Sequence, residues 1–310
     1  MTDDTSIDLA EAVAELPFDT HGPKYLESRR EPEPGDIAMY GVPFDGTTSF
    51  RPGTRFGPDS LRTASIVLES YSPDQDKDLA DIGYCDLGNL EVPMGPPTPM
   101  VERVEHATRR LLELGLTPLM LGGEHSVSTG AVQAVAARYP ELLLVQFDAH
   151  ADMRESYLGQ IHNHACTMTR CMEIVGPGRL VQIGIRSGTR EEFAAMREAK
   201  RLVRPGPTAQ MVAELAQCIA DRGERPIYVT VDLDAFDPGC LPGTGTPEPG
   251  GIWWPDFAAL LAAIPPRIVA ADVVELSPVL DPTLASSVYA AKVARELAIR
   301  LASDKLARGN

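Results

Sequence analysis

The chain has 310 residues, enough for one large domain or two small ones, and 44% hydrophobic with 23% charged residues is an ordinary globular balance. Lys and Arg number 28 against 44 Asp and Glu, a formal charge of −16 that argues against a nucleic-acid surface and suits a cationic ligand. No apolar run approaches the ~18 residues of a membrane span, and the acidic start MTDDTSIDLAEAVAELPFDT lacks the basic and apolar stretches of a secretory leader.

Residues 1–35 are expected to form an N-terminal extension that packs on the domain without entering it, closed by the EPEPG turn near residue 31. Residues 36–310 are expected to form a single domain. Short apolar, β-branched runs lie at 36–42, 116–121, 142–147, 180–185, 227–231 and 267–274. Helical patterns lie between them: MVERVEHATRRLLELG after the VPMGPPTP loop near residue 92, then STGAVQAVAARYP and AQMVAELAQCIADRG. The first carries apolar or small residues at 101, 104, 107, 111 and 114, a helical stripe. Gly115 and Gly223 stand where helices stop. A last helix is expected over 286–306. Strands that are apolar throughout belong to a parallel sheet covered on both faces. The fold class is therefore α/β: three layers, α/β/α, around a mainly parallel central sheet.

In an open parallel sheet, ligands bind beyond the carboxyl ends of the strands. Those ends are where this chain keeps its unusual polar residues. The 116–121 run leads into Gly-Gly-Glu-His125-Ser and the 142–147 run into Asp148-Ala-His150-Ala-Asp152. The 227–231 run leads into Asp232-Leu-Asp234, and the 267–274 run into Glu275. Residues two apart in extended chain point the same way, so Asp148, His150 and Asp152 share a face, as do Asp232 and Asp234. His125 supplies a sixth group from a third strand end.

Four aspartates this close would repel one another and resist desolvation. Two divalent cations remove that problem, +4 against −4. Mixed Asp and His ligation points to Mn2+, two per subunit, with Ni2+, Co2+ or iron compatible with the same donors. Two metals at a shared carboxylate lower the pKa of a bridging water toward neutrality. Taken singly, a D-x-D is usually a turn and a strand-end histidine is usually only hydrogen-bonded; their combination points to metal. The five scattered cysteines, Cys85, Cys166, Cys171, Cys218 and Cys240, read as reduced thiols of a cytoplasmic protein. Cys166 and Cys171 lack zinc spacing and are read as structural.

These motifs, in this order, resemble the ureohydrolase family of arginases, agmatinases and their relatives. The matching pieces are GGEHS (122–126), DAHAD (148–152), NHACTM (163–168), QIGIRS (182–187), DLDAFDP (232–238), PGTGTPEPGG (242–251) and DVVELSP (272–278). With GVPFDGTTSFRPGTRFGP (41–58) the resemblance covers nearly the whole chain. It implies that His125, Asp148, Asp152 and Asp232 hold one Mn2+ and that Asp148, His150, Asp232 and Asp234 hold the other. Asp148 and Asp232 would then bridge. It also implies that His164 shuttles a proton to the leaving amine and that Glu275 holds the guanidinium. The residue chemistry agrees: a carboxylate partners the planar guanidinium fork, and an imidazole titrates near neutrality. A structural ion pair would serve Glu275 as well, and His162 competes with His164.

Within the family, DAHADMRESYLG and PGTGTPEPGG look like the agmatinase branch. Arginases carry an asparagine two residues after the second aspartate of their D-x-H-x-D; here Met153 and Arg154 follow Asp152. The reaction the resemblance implies is agmatine plus water giving putrescine and urea, with 4-guanidinobutyrate, guanidinopropionate and free guanidine as sister substrates. Arg154 is a candidate substrate-binding residue; facing the pocket, it would favour a guanidine that carries a carboxylate. Trp253 and Trp254 read as core or subunit-interface packing, with a pocket wall as the alternative. A non-catalytic homologue would have lost a ligand, and none is missing. A single-zinc deacetylase would not need all six groups. Expected partners are a small cationic guanidino substrate and further copies of the chain in a trimer or hexamer, with no nucleic acid and no membrane.

Overall fold

The computed structural model describes residues 8–308. Its strands are β1 (Phe18–Asp19), β2 (Ile37–Val42), β3 (Tyr71–Ser72), β4 (Lys77–Asp78), β5 (Tyr84–Leu90), β6 (Thr117–Gly122), β7 (Leu143–Phe147), β8 (Leu180–Ile183), β9 (Leu202–Val203), β10 (Ile227–Asp232) and β11 (Ile268–Val274). Its helices are α1 (Leu9–Ala14), α2 (Gly57–Ser65), α3 (Thr98–Glu113), α4 (Ser128–Arg138), α5 (Thr167–Val175), α6 (Arg190–Glu198), α7 (Thr208–Ala220), α8 (Trp254–Ala263) and α9 (Ala285–Arg308). Nine strands make one sheet in the order β1-β5-β2-β6-β11-β10-β7-β8-β9, and β3 pairs with β4 in a separate hairpin. Every pairing in the large sheet is parallel except β1 with β5.

Alternation along the strands builds the three layers. Ile37 and Met39 of β2, Val145 and Phe147 of β7, and Val229 and Val231 of β10 face one core, shared with Leu215 of α7, Phe257 of α8 and Leu297 of α9. Ala38 and Tyr40 of β2, Leu144 of β7 and Tyr228 of β10 face the other, with Val104 of α3, Val132 of α4 and Cys171 of α5. The sheet is thus buried on both sides, as strands without polar alternation require. All six expected strands form, with ends within two residues of the expectation. Gly115 (φ +75°) and Gly223 (φ +74°) do end their helices in the left-handed region. Among the described residues, no helix is long and apolar enough to cross a membrane.

Two expectations change. The N-terminal segment also enters the sheet: Phe18 and Asp19 pair antiparallel with Leu90 and Asn89. The reason is that β5, absent from the expected strands, would otherwise leave its outer edge unpaired. The sequence YCDLGNL hides β5 because Asp86, Gly88 and Asn89 break its apolar character. Asp86 is fully buried and holds the fully buried Arg62 of α2 through two bonds, Nε to Oδ2 at 2.8 Å and Nη2 to Oδ1 at 2.9 Å. It also accepts from the Tyr25 backbone N–H at 2.8 Å, tying the N-terminal segment to the sheet.

The sheet order matters most at its centre. The four adjacent strands β6, β11, β10 and β7 are those whose carboxyl ends carry His125, Glu275, the Asp232 pair and the Asp148 triplet. Asp232 stands level with Val274, and Val231 with Phe147, so all four ends finish at nearly the same height.

Removing Asp86 takes from Arg62 its fully buried carboxylate and leaves it Asn89, the Gly88 carbonyl and the exposed Asp59. Asp86→Ala is therefore expected to lower the unfolding free energy by about 3–5 kcal/mol in urea denaturation; a loss below about 1 kcal/mol, the size of an exposed pair, would contradict this account of β5.

Candidate metal centre

After β6 the chain turns through Gly122 and Gly123 into the short 3-10 turn His125–Val127. A Cβ on Gly123 would lie 1.9 Å from the Phe44 carbonyl oxygen, so only glycine lets this turn approach β2's continuation. The turn delivers the His125 ring, fully buried, to the middle of the cluster. Its Nδ1 lies 3.2 Å from Asp148 Oδ2, 3.1 Å from Asp152 Oδ2 and 3.3 Å from Asp232 Oδ2. His150 Nδ1 lies 3.0 Å from Asp234 Oδ2 and 3.6 Å from Asp148 Oδ1. The fold therefore brings five of the expected groups together as two sets that share Asp148, His125–Asp148–Asp152 and Asp148–His150–Asp234, and sets Asp232 beside the first through His125. Backbone amides fasten them: His150 N–H donates to Asp148 Oδ1, Asp234 N–H to Asp232 Oδ1 and Ala149 N–H to Asp234 Oδ1.

The electrostatics show what such a gathering costs. Burial, then the charge of Asp148, pushes Asp152 up to about 7. Burial, then Asp234 and Asp148, drives Asp232 well above the usual carboxylate range. Burial opposes charge on His125, yet Asp148, Asp152 and Asp232 raise its pKa well above the ordinary value. Asp148 is desolvated too, but His125 and His150 hold it below its ordinary value.

A cation suits the donor set. Thr230 Oγ1 gives its one proton to Asp272 Oδ1 (2.6 Å), and Tyr228 OH donates to Asp272 Oδ2 (2.7 Å). The threonine oxygen, 3.0 Å from His125 Nε2, must then accept from that ring, so Nε2 carries the hydrogen. In the neutral ring Nδ1 is then the atom with the free lone pair, and it is buried and faces three carboxylate oxygens. A cation there, whether a proton on Nδ1 or a metal ion in its place, offsets the carboxylate charge, and a relay that fixes Nε2–H is what metal-ligating histidines use. A second relay runs from Gln182 Nε2 to Gln146 Oε1 (2.8 Å) and from Gln146 Nε2 to Asp148 Oδ2 (2.7 Å).

Glu275 follows β11 with φ +68°, a left-handed backbone unusual outside glycine. Its N–H donates to the Gly123 carbonyl (2.8 Å), and its Oε1 accepts from the His125 N–H (2.9 Å). It is buried, makes no ion pair among the described residues, and burial with the charge of Glu124 raises its pKa well above normal. The structural ion pair that sequence alone left open is thus not formed. Gly245 stands in front of it; a Cβ there would come within 3.9 Å of Glu275 Oε2.

His164 opens a short 3-10 turn (His164–Cys166) capped by Asn163. Its N–H donates to Thr47 Oγ1 (3.2 Å), and its Nε2 lies 2.9 Å from Ser49 Oγ. Burial, followed by His150 and His125, holds its imidazole below the ordinary value, so it rests neutral at pH 7. The competing His162 faces Arg170, Glu102 and Glu173 instead. Arg154 is exposed, its guanidinium 5.1 Å above the Tyr157 ring, which stands nearly perpendicular to that of His164. Trp254 packs against Phe257 and Tyr289 with Lys292 above it, and Trp253 is half exposed against Gly239, so neither belongs to the cluster.

Sequence reasoning passed over several residues that hold this site. Arg186 donates to the carbonyls of Asp234, Ala235, Phe236 and Glu248, pinning the 242–251 turn to the end of β10. Its place in the QIGIRS motif was the available signal. Thr230 and Asp272 lie within strands, where an isolated polar residue in an apolar run was the clue.

Fold and cluster together define a binuclear-metal hydrolase. The chain belongs to the arginase family, whose model matches residues 35–299. It is 38% identical over 279 residues to the agmatinase of Bacillus subtilis, covering 89% of this chain and 95% of that one. The agmatine ureohydrolase structure from Thermoplasma volcanium superposes with a TM-score of 0.78 at 34% identity, over 89% of this chain and 92% of the other. Proclavaminate amidinohydrolase from Streptomyces clavuligerus superposes at 0.82 with 31% identity, over 91% and 97%.

The tautomer relay makes a direct prediction. Thr230→Val, which keeps the shape and removes the acceptor, is expected to weaken metal affinity by roughly 10–100-fold in competition against a chelator; unchanged affinity would contradict the relay.

Proposed function

We propose that this enzyme hydrolyses agmatine to putrescine and urea with a pair of Mn2+ ions. The observation that carries this reading is Glu275, a buried carboxylate without an ion-pair partner among the described residues, strained in its backbone and bonded to the peptide of His125. A buried, unpaired carboxylate is costly unless a cation completes it, and a planar guanidinium is its natural complement. The agmatinase named among the chain's relatives supports the choice of substrate.

One cation would be held by His125, Asp148, Asp152 and Asp232, the other by Asp148, His150, Asp232 and Asp234; when bound, they supply water activated for attack at neutral pH. Oxygen-rich ligation favours manganese, with nickel or cobalt as substitutes. Glu275 orients the guanidinium carbon over the cluster. His164, neutral at rest, carries the proton that the departing amine needs. Arg154, stacked on Tyr157 at the rim, touches the tail of the substrate rather than its reacting end. Residues 36–310 act as one catalytic domain, and the active form is a cytoplasmic homo-oligomer, a trimer or hexamer.

Urea release is expected from agmatine and not from arginine, and turnover of 4-guanidinobutyrate with agmatine inert would transfer the assignment to a sister activity. Asp148→Ala is expected to abolish turnover and release metal together, because both sets share that residue. Glu275→Gln is expected to keep both metals while raising KM for agmatine at least about tenfold, the loss of one charge-assisted contact; an unchanged KM would remove Glu275 from substrate binding.

A further inference from the structure

We propose that Ser49 passes protons between His164 and solvent, which rests on the reading of His164 as the proton carrier. The hydroxyl lies 2.9 Å from His164 Nε2 and is itself exposed, so it stands between the imidazole and water. The loop that carries it is tied down at several points. Thr47 Oγ1 donates to the buried Glu124 Oε1 at 2.6 Å and accepts from the His164 N–H. Arg51 donates to the carbonyls of Thr244 and Gly245, and Asp45 accepts from the Gly53 N–H and from Arg55 Nε. The Tyr157 ring stands nearly perpendicular to the His164 ring, with centroids 6.3 Å apart.

A serine hydroxyl both donates and accepts, so it can relay without a lasting change of charge. The step balances as follows: Ser49 Oγ gives its proton to His164 Nε2 while taking one from a solvent or buffer acid. Ser49 ends unchanged, and the imidazole is left with the proton that it gives to the leaving amine. Ser49 acts through His164 and is in that sense a positioning residue, not a catalytic one.

The test compares wild type, Ser49→Ala, Ser49→Thr and His164→Ala in agmatine hydrolysis, in small buffers of low metal affinity at rising concentration. Ser49→Ala is expected to lower kcat at least about tenfold in dilute buffer, part of what a positioned acid–base group contributes. KM and metal content are expected to stay unchanged, Ser49→Thr to retain turnover, and small buffer acids to restore the alanine variant while bulky ones do not. An unaltered kcat in Ser49→Ala, or a loss that no buffer restores, overturns the relay and leaves His164 untouched. Full activity in His164→Ala sinks the role of His164 and the relay with it. Should another guanidino compound replace agmatine as the substrate, the same comparison on that compound decides the matter.

Discussion

Asp148, Asp152, Asp232 and Asp234 sit almost dry at one rim of a sheet, packed around two imidazoles. Like charges at that separation and in that surrounding repel strongly, and burial adds a further cost to each. Burial first, and the neighbouring aspartates after it, produce the upward shifts at Asp152 and Asp232. Two histidines alone do not neutralise four carboxylates, and with Nε2–H held by Thr230, His125 turns its Nδ1 toward them. A pair of divalent cations resolves the conflict, and much of the surrounding structure is arranged so that they can.

That arrangement is visible in how the rim is fastened. Four neighbouring parallel strands end at one height, which places groups from distant parts of the chain side by side. Gly123 permits a turn that any side chain would block, and Glu275 tolerates a left-handed backbone to face the cluster. Arg186 gathers carbonyls from two loops, and the Gln182–Gln146 pair steadies Asp148. Polar residues inside the strands, Thr230 and Asp272, are satisfied through one another and through His125. Left-handed backbone at Asp152 and Glu275 and buried polarity meet at the site, while the two hydrophobic layers on either face supply the stability.

The centre of the fold was legible in the sequence because its strands are apolar throughout and end in carboxylates or imidazoles. The six clustered residues could be read from the D-x-H-x-D and D-x-D spacings, since a period of two places side chains on one face. The edges were harder. β5 carries Asp86, whose partner Arg62 lies 24 positions earlier in the chain, and no local pattern announces a long-range pair. β1 and β9 are two residues each, too short for periodicity, and they form because neighbouring edges need cover. Around the cluster, Ser49, Thr47 and Arg186 act through contacts between loops separated by tens of residues, which spacing cannot reveal.

The most direct measurement is a titration of the metal-stripped chain with Mn2+, followed by calorimetry and by elemental analysis of the product. Two equivalents per chain, with binding that releases protons as the raised carboxylates ionise, is the result expected from six donors around a shared aspartate. Saturation with no bound metal, or at a single equivalent, would contradict the account at its root.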